Sequence, residues 1–244
     1  MNLIQIKSSV SEHYRKTTFV VIILMYLAGT IGLIIPYTQP YFKLLSPLNL
    51  WVSLILLLLF HQDFNRNFIL ISISIFLAGF LVEVVGVHTG LIFGQYWYGQ
   101  TLGTQLFGVP LVIGANWLLL IYCSSIVTQN ISLYLKKIFP TNPVFSSLFF
   151  RAFLSASLMV SLDFLIEPVA IRLDFWHWKN EQIPSQNFQA WFLIAFVLAF
   201  VFLKGNFLKT NLLAQLLFIL QLLFFIFLYL CYSTLGTIQN LFNF

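Results

Sequence analysis

The chain of 244 residues is 60% hydrophobic and 8% charged, with a formal net charge of +5 and a mean hydropathy of +0.93. That composition belongs to polytopic membrane proteins and excludes a soluble globular domain. The positive balance forms no basic stripe interleaved with exposed aromatics, so no nucleic acid is expected as a partner.

The chain opens with "MNLIQIKSSVSEHYRK", polar for about sixteen residues, and then turns apolar at spanning length. No small-residue cleavage site follows, so a retained anchor is expected rather than a signal peptide. Residues 1–16 are read as an N-terminal segment and 17–244 as a single transmembrane helical domain. A span needs roughly 20 mainly apolar residues. On that ruler an all-α bundle of about seven spans is predicted, near 17–37, 44–60, 68–87, 108–128, 145–167, 188–204 and 211–232. Pro36, Pro40 and Pro47 punctuate the first connection, and "FPTNP" (139–143) breaks the chain before the fifth span.

Lys and Arg collect at cytoplasmic ends. Lys7, Arg15, Lys16, Arg66, Lys136, Lys137, Arg151, Lys204 and Lys209 fall on one side, against Lys43, Arg172 and Lys179 on the other. The expected topology is a cytoplasmic N-terminus in a multi-pass protein of the inner (cytoplasmic) membrane, in contact with membrane lipids. Cys123 and Cys231 lie within spans, so no structural disulfide is expected.

Ionisable groups at membrane depth cost about 2.5–3.5 kcal/mol each on insertion scales, so each needs a reason. The spans hold three carboxylates: Glu83 in the third, and Asp163 and Glu167 in the fifth. All three fall in the same, non-cytoplasmic half of the bilayer. Asp163 and Glu167, four apart in "SLDFLIEPVA", project from one helix face, and Pro168 is read as the helix end. Two close carboxylates in a low dielectric do not both ionise easily, which gives an acid and a base in one place. The alternative is that they pair with Arg151 or Arg172, or lock helices together.

His88 follows Glu83 at the helix exit beside Thr89 and Gly90, and His177 lies in "FWHWKN". Each is a candidate for proton work or an ordinary helix-end or interfacial residue. His13 and His61 read as solvated. The glycines of "GVHTGLIFGQYWYGQTLG" (86–103) lack the Lys-Ser/Thr partner of a phosphate cradle. They fit instead an irregular segment that turns back at membrane depth, tolerated where it is buried or lines a cavity. Tyr96, Trp97, Tyr98, Trp117, Trp176, Trp178 and Trp191 give that region aromatic faces.

Four histidines, none clustered, do not suit a membrane di-iron enzyme, and the last span lacks a Schiff-base lysine. "DFLIE" is at best half of a magnesium-diphosphate site pair. No metal-ligand spacing is present, so neither metal nor cofactor is expected. An apolar cavity of acids and aromatics suits protonation of a hydrophobic alkene, with ring faces stabilising the cation. The same inventory suits a proton-coupled transporter.

The stretch "EVVGVHTGLIFGQYWYGQTLGTQLFGVPLVIGANW" (83–117), together with "DFLIEPVAIRLDFWHW" (163–178) and "IPSQNFQAW" (183–191), resembles the integral-membrane carotenoid hydratases of carotenoid biosynthesis. The chain departs from that pattern at Gln182 and Ala190, where glycine is expected, and at Glu167, where aspartate is commoner. The resemblance implies addition of water across the terminal double bond of an acyclic carotenoid end of the γ-carotene or lycopene type. Glu83, Asp163 and His88 fit its motifs and, with Glu167 beside them, are the catalytic candidates. Thr89, Phe93, Tyr96, Tyr98, Trp117, Trp176, Trp178 and Asn187 fit the same motifs and, with Trp97 and His177 beside them, are the carotenoid-binding candidates. An end-group cyclase and a proton-coupled carrier are the competing readings.

Overall fold

The computed structural model describes residues 3–242, with side chains described for Glu12 and for residues 14–234. The expectation for His13 lies outside the described side chains. The helices are α1 (Leu3–Ile34), α2 (Gln39–Leu59), α3 (Arg66–Thr89), α4 (Val112–Ile138), α5 (Leu148–Arg172), α6 (Ser185–Lys204) and α7 (Leu212–Phe242). Each contains a stretch long and apolar enough to cross a bilayer, so the chain is an all-α, multi-pass membrane protein of seven spans among the described residues.

Local chemistry sets the helix ends. Asn65 caps α3 by accepting from the Phe68 amide at 2.9 Å, and Ser147 caps α5 through the Phe150 amide at 3.1 Å. Gly90, at φ 65°, closes α3 in the left-handed conformation. Two proline expectations need correction. Pro40 stands in the first turn of α2, where its missing N–H costs nothing, and Pro47 lies inside that helix. Pro168 does not end α5, which continues to Arg172. Its lost hydrogen bond is the kind a transmembrane helix tolerates among packed neighbours.

The hub is α4, buried almost continuously from Trp117 to Ile126. It packs against α2, α3, α5, α6 and α7, while α1 leans on α2 and α7. The fourth span runs to Ile138, ten residues beyond the expected 128, because Lys136 and Lys137 occupy the last helical turn. The C-terminal end of α3, the N-terminal end of α4, the C-terminal end of α5 and the N-terminal end of α6 meet at one end of the bundle.

Over that end lie two small antiparallel ladders. Strand β1 (Tyr96–Tyr98) pairs with β4 (Trp176–Trp178), and β2 (Gln105–Leu106) pairs with β3 (Val109–Pro110). The glycine-rich segment therefore does turn back over the bundle, as its composition led one to expect. At the opposite end His61 is not solvated. It is 5% exposed, stacked on Phe68 at 3.6 Å between centroids and bonded through Nδ1 to the Tyr122 hydroxyl at 2.7 Å. A short α2–α3 connection pulls the ring inward, where three phenylalanines and a tyrosine surround it.

Candidate active site

Glu83 sits two turns before the end of α3 and is 2% exposed. Three donors close on it. Its Oε2 accepts from the Tyr96 hydroxyl at 2.5 Å and from the Tyr98 hydroxyl at 2.8 Å, and its Oε1 accepts from Trp117 Nε1 at 3.0 Å. Gly86, three residues further along α3, makes room for this wrap. A Cβ there would lie 2.7 Å from the Phe93 ring and 2.9 Å from the Tyr96 hydroxyl. Burial first, then the Glu83 charge beside them, pushes both phenols above the ordinary tyrosine range, so they remain O–H donors.

The strand register explains which aromatics enter. Tyr96 faces Trp178, Trp97 faces His177 and Tyr98 faces Trp176. With side chains alternating across a strand, both tyrosines and both tryptophans of the outer pairs turn inward, and the middle pair turns out. Trp97, 52% exposed, stacks on the His177 ring at 5.9 Å, and His177 Nε2 meets Asp174 at 2.7 Å. Trp97 and His177 are therefore not brought to the cavity. His88 and Thr89 are exposed as well, spent on the carbonyls of Val84 at 2.8 Å and Val85 at 2.7 Å at the helix exit.

Glu167 is held from the other side. Its Oε2 accepts from Trp176 Nε1 at 3.0 Å and Trp178 Nε1 at 2.7 Å, and its Oε1 from Asn187 Nδ2 at 3.0 Å. The same Asn187 nitrogen donates to Asp163 Oδ2 at 3.1 Å. Asn187, in the first turn of α6, thus clamps the two carboxyls of the α5 face together. Asp163 is 1% exposed, and Asn187 is the one side chain that donates to it among the described residues.

These groups border a small cavity of about 30 Å³. Its wall includes Glu83, Glu167, Asn187, Asn116 and the rings of Phe93, Tyr96, Tyr98, Trp117, Trp176, Trp178 and Trp191. Trp117 and Trp191 stack at 4.2 Å. Asp163 lies one helical turn deeper on α5, behind Asn187. Sequence reasoning missed Asn116; the available signal was a lone amide in an apolar stretch, beside a tryptophan it did single out. Trp191 was singled out for its aromatic face but not named among the carotenoid-binding residues.

Among the described residues no cation answers the three acids. Among the described residues the ion pairs are Lys16–Glu12 and His177–Asp174. Arg151 hydrogen-bonds Gln129, and the Arg172 guanidinium lies over the Tyr232 ring at 4.6 Å. The charge-pairing alternative for Asp163 and Glu167 thus fails. Nor do three His, Cys, Asp or Glu side chains converge on a metal position among the described residues. What the cavity offers is carboxyl groups held by neutral O–H and N–H donors, opposite π faces, with a free amide at Asn116. Such a set has the chemistry to transfer a proton and to stabilise a nearby cation.

Comparison with known proteins places the chain in a family. The family model described as "Carotenoid biosynthesis protein" matches residues 41–241. The chain is 24% identical over 168 residues to bisanhydrobacterioruberin hydratase of Haloarcula japonica, an alignment covering 67% of this chain and 54% of that protein. It thus spans about half the length of the curated relative it matches. No solved structure matches. With the family model extending over most of its length, including every carboxylate of the cavity, the chain belongs to the carotenoid biosynthesis protein family.

Proposed function

We propose that the protein is a cofactor-independent carotenoid hydratase of the cytoplasmic membrane, with its N-terminus in the cytoplasm. It adds water across the terminal double bond of an acyclic carotenoid end group, of the lycopene or γ-carotene type, to give a tertiary alcohol. The observation that carries this reading is the trio of buried carboxyls, unpaired with any cation among the described residues, with Glu83 and Glu167 on the wall of an aromatic-lined cavity and Asp163 one turn behind.

The roles divide by hydrogen bonding. Glu83, under three donors, is the acceptor-only carboxylate that an ionised acid is. Glu167 is likewise under three donors, so the proton of the α5 pair rests on Asp163, for which Asn187 is the one donor among the described residues, and passes to Glu167, which presents it to the cavity. That proton adds to the CH carbon of the terminal alkene, and the π electrons leave a tertiary cation on the adjacent carbon. The faces of Trp117, Trp176, Trp178 and Trp191 stabilise the cation. Water held by Asn116 and Glu83 forms the new C–O bond and gives one proton to Glu83, so the net change is one water added per end. Proton transfer within the cluster restores the starting state.

The test is pigment mass and retention in cells that make lycopene and express the chain. The expected product is more polar and heavier by one water. Glu167→Gln and Asp163→Asn should leave lycopene untouched. Glu83→Gln should still let the cation form but not trap water, giving isomerised or cyclised pigment of unchanged mass. Unaltered hydration in all three variants, at normal membrane levels, overturns the assignment. Cyclised product from the parent protein itself would make it an end-group cyclase, and movement of pigment without chemistry would make it a carrier.

A further inference from the structure

A second cavity, of about 320 Å³, lies between α1, α2 and α7, at the lower end of the volumes small-molecule sites occupy. Its wall is apolar apart from a few groups, and one of them is unusual. Gln221 is 3% exposed, yet its Oε1 has no hydrogen-bond partner. Its amide meets the Tyr26 hydroxyl, which in turn lies 3.4 Å from Ser53 Oγ.

The position is deep. Near one end of the bundle Tyr232 of α7 donates to the Leu33 carbonyl at 2.8 Å. Gln221 stands eleven residues earlier on α7, about 16 Å further in at the helical rise. An acceptor at that depth is costly unless something in the groove donates to it, and a leucine would have packed there without that cost. At its other end the groove is bounded by Leu102 and Phe175. Phe175 lies 6.3 Å from the ring of Trp176, whose N–H holds Glu167. The groove therefore ends where the wall of the acid cavity begins.

We infer that this groove binds an end of a long isoprenoid chain that already bears a hydroxyl, its O–H donating to Gln221 Oε1. The remainder of the chain lies along the apolar wall toward Leu102 and Phe175. An acyl chain of a bilayer lipid fits the volume but brings no donor to that depth. The need for a donor stands on the geometry; the choice of an isoprenoid alcohol rests on the hydratase reading above.

The test uses the full chain carrying Asp163→Asn, to prevent turnover, purified into nanodiscs and titrated with 1-hydroxylycopene and with lycopene by tryptophan quenching. The expected preference for the hydroxylated pigment is about five- to tenfold, the size of one hydrogen bond. Gln221→Leu should erase that preference while leaving lycopene affinity within about twofold. Gly29→Leu gives a second handle: a Cβ at Gly29 would meet only Phe224, at 3.5 Å, so the longer side chain fills the groove without straining the helix. It should weaken binding of 1-hydroxylycopene at least tenfold. Equal affinities in the parent, a preference that survives Gln221→Leu, or indifference to Gly29→Leu would each overturn the inference. Lycopene hydration by the chain with Asp163 intact is scored separately, so failure of the hydratase reading leaves the binding result readable.

Discussion

Trp117 and Glu83, on neighbouring helices and 34 residues apart, are joined by a hydrogen bond of 3.0 Å from the indole Nε1 to Oε1. The Trp117 ring is fully buried and stacks on Trp191, so one side chain both aims the carboxylate and offers a π face to the cavity. Trp117→Phe separates the two roles, because the face survives and the donor is lost. A hydrogen bond to a charged group contributes about 1.5–3 kcal/mol. The variant should therefore reach the membrane at normal levels but form hydroxylated pigment more slowly, by roughly ten- to a hundredfold. Normal turnover by this variant would remove Glu83 orientation from the mechanism.

Tyr96 and Tyr98 converge on the same oxygen of Glu83, so either phenol alone still solvates it. Each single Phe variant should lose part of the activity, and the double variant should lose more than the product of the two single losses, because Oε2 then has no donor. Both phenols are held above the ordinary tyrosine range by burial and then by the Glu83 charge. Ordinary tyrosines begin to ionise near pH 10, whereas these two stay protonated there. Turnover in isolated membranes should thus show no loss assignable to the phenols between pH 8 and about 10, and a fall in the parent that Tyr96→Phe abolishes would contradict this.

Seven spans and three costly acids were legible because the bilayer makes both conspicuous: length sets the one, and the cost of burying charge sets the other. The inward or outward choice within "YWY" and "WHW" was not. It depends on β1 pairing with β4 in a register that places Trp97 against His177, and that pairing joins segments some eighty residues apart. Reading every aromatic and histidine of those loops as a site residue therefore gathered Trp97 and His177 along with the four rings that do line the cavity. His61 shows the same limit from the other side, since its neighbours Tyr122 and Phe207 come from other helical hairpins. Pro168 looked like a stop because local rules end helices at proline. The packing of α5 against α6 and α4 carries the helix past it.

The crossing of α3 and α4 that brings Trp117 to Glu83 depends on Gly79. A Cβ at that position would lie 2.4 Å from Cβ and Cγ of Trp117, so Gly79→Ala forces the helices apart, an overpacking that costs about 1–3 kcal/mol. Small residues at such crossings are how transmembrane helices approach closely. The variant should lower the thermal midpoint in detergent by several degrees and reduce hydration. Gly29→Ala, whose Cβ meets Phe224 at an ordinary 3.5 Å, should do neither. Equal midpoints for the two variants would argue against a tight crossing.

The buried His61 network predicts a pH-dependent stability at the end of the bundle far from the acids. Its Nε2 lies 2.9 Å from the Asp63 carbonyl, which only accepts, so Nε2 carries the proton and Nδ1 accepts from the Tyr122 hydroxyl. The Asn211 amide donates to that hydroxyl in turn, at 3.0 Å. This arrangement suits the neutral ring. Burial lowers the His61 pKa below its ordinary value of 6.5, against a smaller opposing pull from Asp63. The unfolded chain therefore takes up a proton that the folded one refuses, and stability falls as pH falls. The contribution is fully present above about pH 6.5 and is lost progressively below it. The thermal midpoint in detergent should drop between pH 7 and pH 5. In His61→Phe, which keeps a ring against Phe68 but has nothing to titrate, the midpoint should start lower at pH 7 and lose less over the same interval. Parallel slopes for parent and variant would show that His61 is not the group responsible.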